Sequence, residues 1–303
     1  MKSLSILSII LISLFALNSS QIVEQTVNNV TVSAISQGGV FEISSVSMSN
    51  DTELETITIQ ILSLVERDEN GTAISDPNHS YTSLSNVDFN VTPFQNTSMS
   101  NVTSWYSHMT AVNLPGISNN FSLVIQAQLY SEEGKLDDLN EFGRVGPGYV
   151  LFGFNVLDWS FCQNTTETPC LGNQVGSFLD LSFIVNGSEN ANHQHGLKYK
   201  IGESQLLLSK NSFLEYTGEV TALPTGFPQY QSINDTDVFT VRFPIFEQDA
   251  YYESLLVMDT VKLSHTHTWL VLAVIVAILL IAIVVFIVIR CFKSGRRQEA
   301  LMP

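Results

Sequence analysis

The chain of 303 residues has only three cysteines, too few for a small scaffold held together by disulfides. It is poor in positive charge, with 13 Lys+Arg against 29 Asp+Glu and a formal net charge of −16. A surface of that sign repels nucleic acid and anionic lipid headgroups, so neither is expected as a partner. No Gly-x-Ser-x-Gly elbow, His-Glu-x-x-His pair, Walker loop or dinucleotide glycine fingerprint occurs. An enzyme is therefore not expected, and no catalytic, cofactor-binding or metal-ligating residue is assigned. Apolar residues are not scarce: at 45% they exclude a disordered chain, and the length allows one or two domains with proper cores.

The two ends read as addresses. Met1-Lys2-Ser3 leads into an apolar stretch from Leu4 to Leu17, then polar Asn18-Ser19-Ser20. A basic start, a short apolar core and a small-residue exit predict a secretory signal peptide over 1–20. The stretch is too short to span about 30 Å of hydrocarbon, which disfavours an uncleaved anchor. Trp269 to Ile289 carries no charge, Gly or Pro, and Arg290, Lys293, Arg296 and Arg297 follow it. That pattern predicts a transmembrane helix over 269–289, about 31 Å long, with a cytoplasmic tail over 290–303. The expectation is a membrane-embedded type I single-pass protein, in the plasma membrane or another secretory-pathway membrane. Cys291, beside the basic cluster, is a candidate for palmitoylation, against an inert thiol.

Between the ends, residues 21–268 hold twenty-eight acids against eight Lys/Arg, a net −20. Eleven asparagines there begin Asn-x-Ser/Thr: Asn29, Asn50, Asn70, Asn78, Asn90, Asn96, Asn101, Asn120, Asn164, Asn186 and Asn234. Roughly four would arise by chance in so Ser/Thr-rich a region, so the excess predicts a heavily N-glycosylated protein. Cys162 and Cys170 lie eight apart across a turn-rich segment, which predicts a local disulfide in an oxidising lumen. Two lone cysteines binding a metal is the weaker alternative.

Period-two alternation dominates this region. Phe121, Leu123, Ile125, Ala127 and Leu129 alternate with polar neighbours, as do Leu179 to Val185, Phe239 to Ile245 and Ile57 to Ile61. Tyr149 to Trp159 is mostly apolar on both parities and predicts a central strand. The fold class expected is an all-β ectodomain, an antiparallel β-sandwich, plus the one C-terminal helix. The acidic and then Gly-rich stretch 131–148 suggests two stacked modules, 22–135 and 146–258, with a juxtamembrane connector over 259–268. One composite sandwich is the alternative.

Several residue groups invite chemistry. His193-x-His195 is a metal-pair candidate if both rings share one strand face. Asp235-x-Asp237, Asp137-Asp138 and Asp68-Glu69-Asn70 are candidates to supply oxygens to calcium, though none sits in a twelve-residue loop. Asp158, in an apolar run before Trp159, is the acid whose surroundings best suit a hydrolase. Trp105-Tyr106, Tyr230 and Tyr251-Tyr252 are candidates for stacking on sugar, against ordinary core packing. The function expected is recognition or adhesion at the cell surface, through an extracellular protein or glycan ligand. The alternatives are an accessory subunit with a lateral membrane-protein partner, and a tethered hydrolase.

Overall fold

The computed structural model describes residues 20–46, 54–99, 102–112, 114, 121–136, 141–163, 170, 174–214 and 218–258. The strands run in order β1 (Ile22–Val27), β2 (Val30–Ile35), β3 (Val40–Val46), β4 (Leu54–Arg67), β5 (Ser80–Tyr81), β6 (Phe89–Val91) and β7 (Gln95–Met99). Then come β8 (Val102–Ala111), β9 (Ser122–Tyr130), β10 (Gly134–Lys135), β11 (Arg144–Val145), β12 (Tyr149–Leu157), β13 (Phe178–Asn186) and β14 (Asn192–His195). The last are β15 (Lys198–Ile201), β16 (Ser204–Leu208), β17 (Asn211–Leu214), β18 (Glu219–Ala222), β19 (Gln229–Ile233), β20 (Thr236–Pro244) and β21 (Asp249–Val257). A single 3-10 turn, Pro77–His79, is the one helical element among the described residues.

The strands form two large antiparallel sheets and one two-stranded ribbon, β10–β11. The first runs β1-β2-β3-β4-β13-β20-β19, with β5 on β4. The second runs β14-β15-β16-β21-β12-β9-β8-β6, with β7 added to β8 and the β17–β18 hairpin on β21. Alternation decides which side chains meet between them. Ile57, Ile59 and Phe183 of the first sheet and Ile125, Phe152 and Phe154 of the second share one buried core. Phe154 and Phe183 touch across it, ring centroids 4.8 Å apart. Burying a side chain of this size stabilises by about 1.5–3 kcal/mol. Tyr149–Leu157 is central as expected, paired with β9 on one side and β21 on the other. Two hairpins close through two-residue turns in the left-handed region, Asn28-Asn29 and Asn234-Asp235. Those residue types tolerate positive φ, and the turn matches the twist of its strands.

Two expectations about architecture are corrected. Strands from both sides of 131–148 mix in both sheets: β4 pairs β13 in the first, and β9 pairs β12 in the second. Residues 22–258 therefore build one composite sandwich and not two stacked modules. The described residues of that stretch, 131–136 and 141–148, form a roof and not a linker. Its β10–β11 ribbon lays Leu136 and Val145 on Leu151 and Leu255, which point away from the main core, and the group forms a second small core. The second correction concerns the membrane. Among the described residues no helix is long and apolar enough to cross one. The run 269–289 lies outside those residues, as do the connector 259–268, the tail 290–303 with Cys291, and 1–19 of the signal segment. An apolar run reports hydropathy, whereas a span also needs a helix to satisfy its own backbone groups. The single-pass topology, the cytoplasmic C-terminus, the plasma-membrane location and the lateral membrane partner therefore lose their support among the described residues. So do the surface-receptor, accessory-subunit and tethered-hydrolase readings built on them.

Candidate functional site

Six carboxylates are buried among the described residues, and three of them, Glu66, Glu253 and Asp180, show how differently the fold treats a buried acid. Glu66 sits at the end of β4 with no exposed surface. Its parity results from an irregularity: the register with β13 shifts between Ser182 and Phe183. Ile57, Ile59 and Ile61 point inward before the shift, and Leu64 and Glu66 after it. The Oε2 of Glu66 accepts the Trp159 indole N–H at 2.9 Å and lies 2.6 Å from His79 Nδ1. Its Oε1 accepts the backbone N–H of Cys162 at 2.7 Å. Gly176 comes so close that an added Cβ would collide with Oε1. His79 is held by the Pro77–His79 turn, whose N-cap Asp76 accepts the N–H of Asn78 at 3.0 Å. The other ring nitrogen of His79, Nε2, faces Cys170 Sγ at 3.7 Å. Cys162 and Cys170 are joined in a disulfide, Cα atoms 5.8 Å apart, as the spacing predicts.

Glu253 is buried on the opposite side of the molecule, on the outward parity of β21. A chain of polar side chains crosses three strands to reach it. Tyr106 donates to Gln126 Oε1 at 3.0 Å, and Gln126 Nε2 donates to the Tyr251 hydroxyl at 2.8 Å. That hydroxyl donates to Glu253 Oε2 at 3.3 Å. The Tyr251 ring lies over Gly153, where any Cβ would collide with it. Burial, opposed by the Tyr251 hydrogen bond and reinforced by the negative charge of Glu141, pushes the Glu253 carboxyl up to about 7. Burial also drives the Tyr251 phenol well above its ordinary value, with Glu253 adding to the effect.

The outer face of the first sheet holds the third of these acids, Asp180, between Arg67 and Arg242. Arg242 Nε is 2.6 Å from Asp180 Oδ1, and the guanidinium stacks 4.3 Å over Phe227. The rest of that face mixes hydroxyls and carboxylates with apolar side chains, among them the exposed Ile22, Val46 and Ile233. Glu24, Ser33, Glu42 and Thr58 stand in one cross-strand row. Ser33 donates to Glu24 at 3.1 Å, and Glu24 and Glu42, both exposed, sit two strands apart, about 10 Å.

The candidates from sequence are dispersed. Asp158 is exposed just past β12 with φ 55°, and the acid buried beside Trp159 is Glu66 instead. The register slips between His193 and His195, so strand parity does not place them together. His193 instead contacts the Gly196 carbonyl at 2.8 Å and stacks on Tyr199. Asp237 is buried, accepting from Ala191 N–H and from the Tyr230 hydroxyl at 2.9 Å, while Asp235 forms a turn. Asp68 Oδ1 caps its own turn through the N–H groups of Asn70 and Thr72. Asp137-Asp138 lie outside the described residues. Tyr252 is wholly buried, Tyr230 packs on Tyr199 and Phe239, and Trp105 packs against the core. Asn29, Asn70, Asn78, Asn90, Asn96 and Asn234 are exposed, and Asn186 is partly so. Asn50, Asn101, Asn120 and Asn164 lie outside the described residues. Glu66, His79 and Glu253 were not singled out by sequence; what could have found Glu66 and His79 is an acid and a histidine at the two ends of one long strand-turn unit feeding the disulfide.

What the described residues define is an acidic, all-β, two-sheet sandwich domain. The family model described as acidic skeletal organic matrix protein matches residues 44–200, just over half of the chain. The chain belongs to that family. The matched stretch runs from β3 into β15 and contains all of the Glu66, His79, Trp159 and disulfide cluster.

Proposed function

We propose that the protein is a structural component of a skeletal organic matrix, in which its carboxylate surface engages divalent cations of a mineral phase. The observation that carries this is the family membership, read with the net charge of −16. Charge of one sign on a stiff slab suits hard cations, which take oxygen ligands and need no enclosed pocket when the lattice supplies the remaining ones. The role is binding and not catalysis: the inner acids are engaged by neighbouring side chains, and the outer ones face solvent. Glycans on the exposed sequon asparagines, two of them at the hairpin tips Asn29 and Asn234, belong to the same reading and would keep the slab hydrated.

Adsorption of the purified full-length chain tests it. Uptake is measured on calcium carbonate and calcium phosphate powders against silica, with a neutral β-sandwich protein as control. Selective uptake on the calcium minerals, reversed by soluble calcium chelator, is the expected result. Uptake no greater than the control's on both minerals would overturn the reading.

A further inference from the structure

The buried cluster at the end of β4 has the parts of a second kind of site. Sequence places two cysteines eight residues apart with no third ligand nearby, which favours a disulfide alone. The fold adds that third ligand from elsewhere in the chain: His79 Nε2 and the sulfurs of Cys162 and Cys170 all lie within 4.8 Å of one another, and all three residues are buried. We propose that, once the Cys162–Cys170 disulfide is reduced, these three atoms bind one thiophilic metal ion of the zinc type, so that the disulfide and the metal are alternative occupants of the same place.

The geometry suits this. Around a tetrahedral zinc ion, with bonds of about 2.3 Å to sulfur and about 2.0 Å to nitrogen, neighbouring ligand atoms are separated by roughly 3.5–3.8 Å. His79 Nε2 and Cys170 Sγ are already 3.7 Å apart, Cys162 Sγ lies within 4.8 Å of both, and the two sulfurs must separate from bonding distance. The ring is oriented for the task by its other side. With Nδ1 at 2.6 Å from the Glu66 carboxylate, the proton sits on Nδ1 and the Nε2 lone pair faces the sulfurs. A carboxylate behind a ligating histidine is the usual way to fix its tautomer. Glu66 is in turn fixed by Trp159 and by the backbone of Cys162, so it is a positioning residue and not a ligand. Access comes through Cys170, the most exposed of the three residues at 8%. Ile74 closes the other side with an apolar wall.

The chemistry balances with a small dithiol as reductant. The dithiol gives two electrons and two protons, the Cys162–Cys170 S–S bond breaks to two thiols, and the dithiol closes to its own disulfide. Zinc then binds two thiolates and the neutral imidazole, and the two thiol protons leave to solvent. The protein keeps its fold through the exchange, because closing so short a loop contributes only about 2–3 kcal/mol. None of this draws on the mineral-binding reading, and neither stands or falls with the other.

Cobalt(II) titration of the full chain tests the site. The chain is reduced by dithiothreitol without denaturant, freed of reductant under anaerobic conditions, and checked for its β-sheet circular dichroism. Expected are thiolate-to-cobalt charge-transfer bands and the strong visible bands of tetrahedral coordination, at one cobalt per chain, bleached by zinc. The oxidised chain shows neither. Cys291→Ser keeps the bands, Cys170→Ser abolishes them, and His79→Gln weakens cobalt binding at least tenfold. Glu66→Gln, which leaves all three ligands in place, weakens it about 10–100-fold. A reduced chain that keeps its sheet signal yet shows no thiolate bands overturns the proposal, as does a reduced chain that loses that signal. Bands that survive in Cys170→Ser, or that go with Cys291→Ser, overturn it equally.

Discussion

Glu66 and Glu253 are both buried glutamates on β-strands, yet they sit beside neighbours of different kinds. Glu66 has the indole N–H of Trp159, the backbone N–H of Cys162 and the ring of His79 around its two oxygens. Glu253 has the Tyr251 hydroxyl at 3.3 Å and the negative charge of Glu141 nearby. Burial alone therefore does not decide what a carboxylate does in this protein; the kind and charge of its neighbours also count. Glu66 serves as the hub that joins β4, the Pro77–His79 turn and the disulfide segment. Glu253 is an acid that holds its proton up to about neutral pH.

Removing the hub should have the largest effect. Glu66→Ala leaves three buried partners facing a void and is expected to cost about 3–5 kcal/mol in urea unfolding at neutral pH. A loss under about 1 kcal/mol would break the contrast between the two acids. Glu253→Gln should go the other way. The unfolded chain releases this proton near 4.5 and the folded chain near 7, so the folded state binds the extra proton in between. Stability contributed by the protonated carboxyl is full below about 4.5 and is lost as pH rises through 7. The Gln variant has no proton to lose. It should therefore gain up to about 3 kcal/mol over the wild type at pH 8 and nothing below pH 4, as thermal melts across pH will show. Asp180→Asn sharpens the same comparison on the outer face of the first sheet. It leaves Arg67 and Arg242 side by side without their shared anion, and about 2 kcal/mol should be lost, less at high salt. The smallest effect belongs to Glu24→Gln with Glu42→Gln, both exposed: within about 0.5 kcal/mol in stability, but a measurable drop in uptake on calcium mineral powders.

Local order was readable and distant pairing was not. The alternation around Ile125, Phe183 and Phe239 marks strands β9, β13 and β20, because one face of each is buried. The two-sided apolar run at Tyr149 marks the central strand because both of its faces are covered, one by the main core and one under the ribbon. Alternation says nothing about partners, however. The pairing of β4 with β13 spans more than a hundred residues, so one composite sandwich and two modules look alike in sequence. The inward position of Glu66 was hidden by the register shift opposite Ser182 and Phe183. Continuing the parity of Ile57, Ile59 and Ile61 would turn Glu66 to solvent. The spacing of Cys162 and Cys170 predicted their bond, but not that a histidine from a turn over eighty residues earlier would stand beside it. Asp158 drew attention because its sequence neighbours are apolar, and a left-handed backbone turns it out to water.

The ribbon of β10 and β11 makes the two broad sides of the slab unequal. Laid on a flat support, the side that bears Glu24, Ser33 and Glu42 can make contact along several strands at once. The roofed side would rest on a ridge. The sandwich of residues 22–258 thus has one sheet face that is roofed, with Leu136 and Val145 folded beneath, and in the proposed role it is the other, acid-bearing face that meets a mineral.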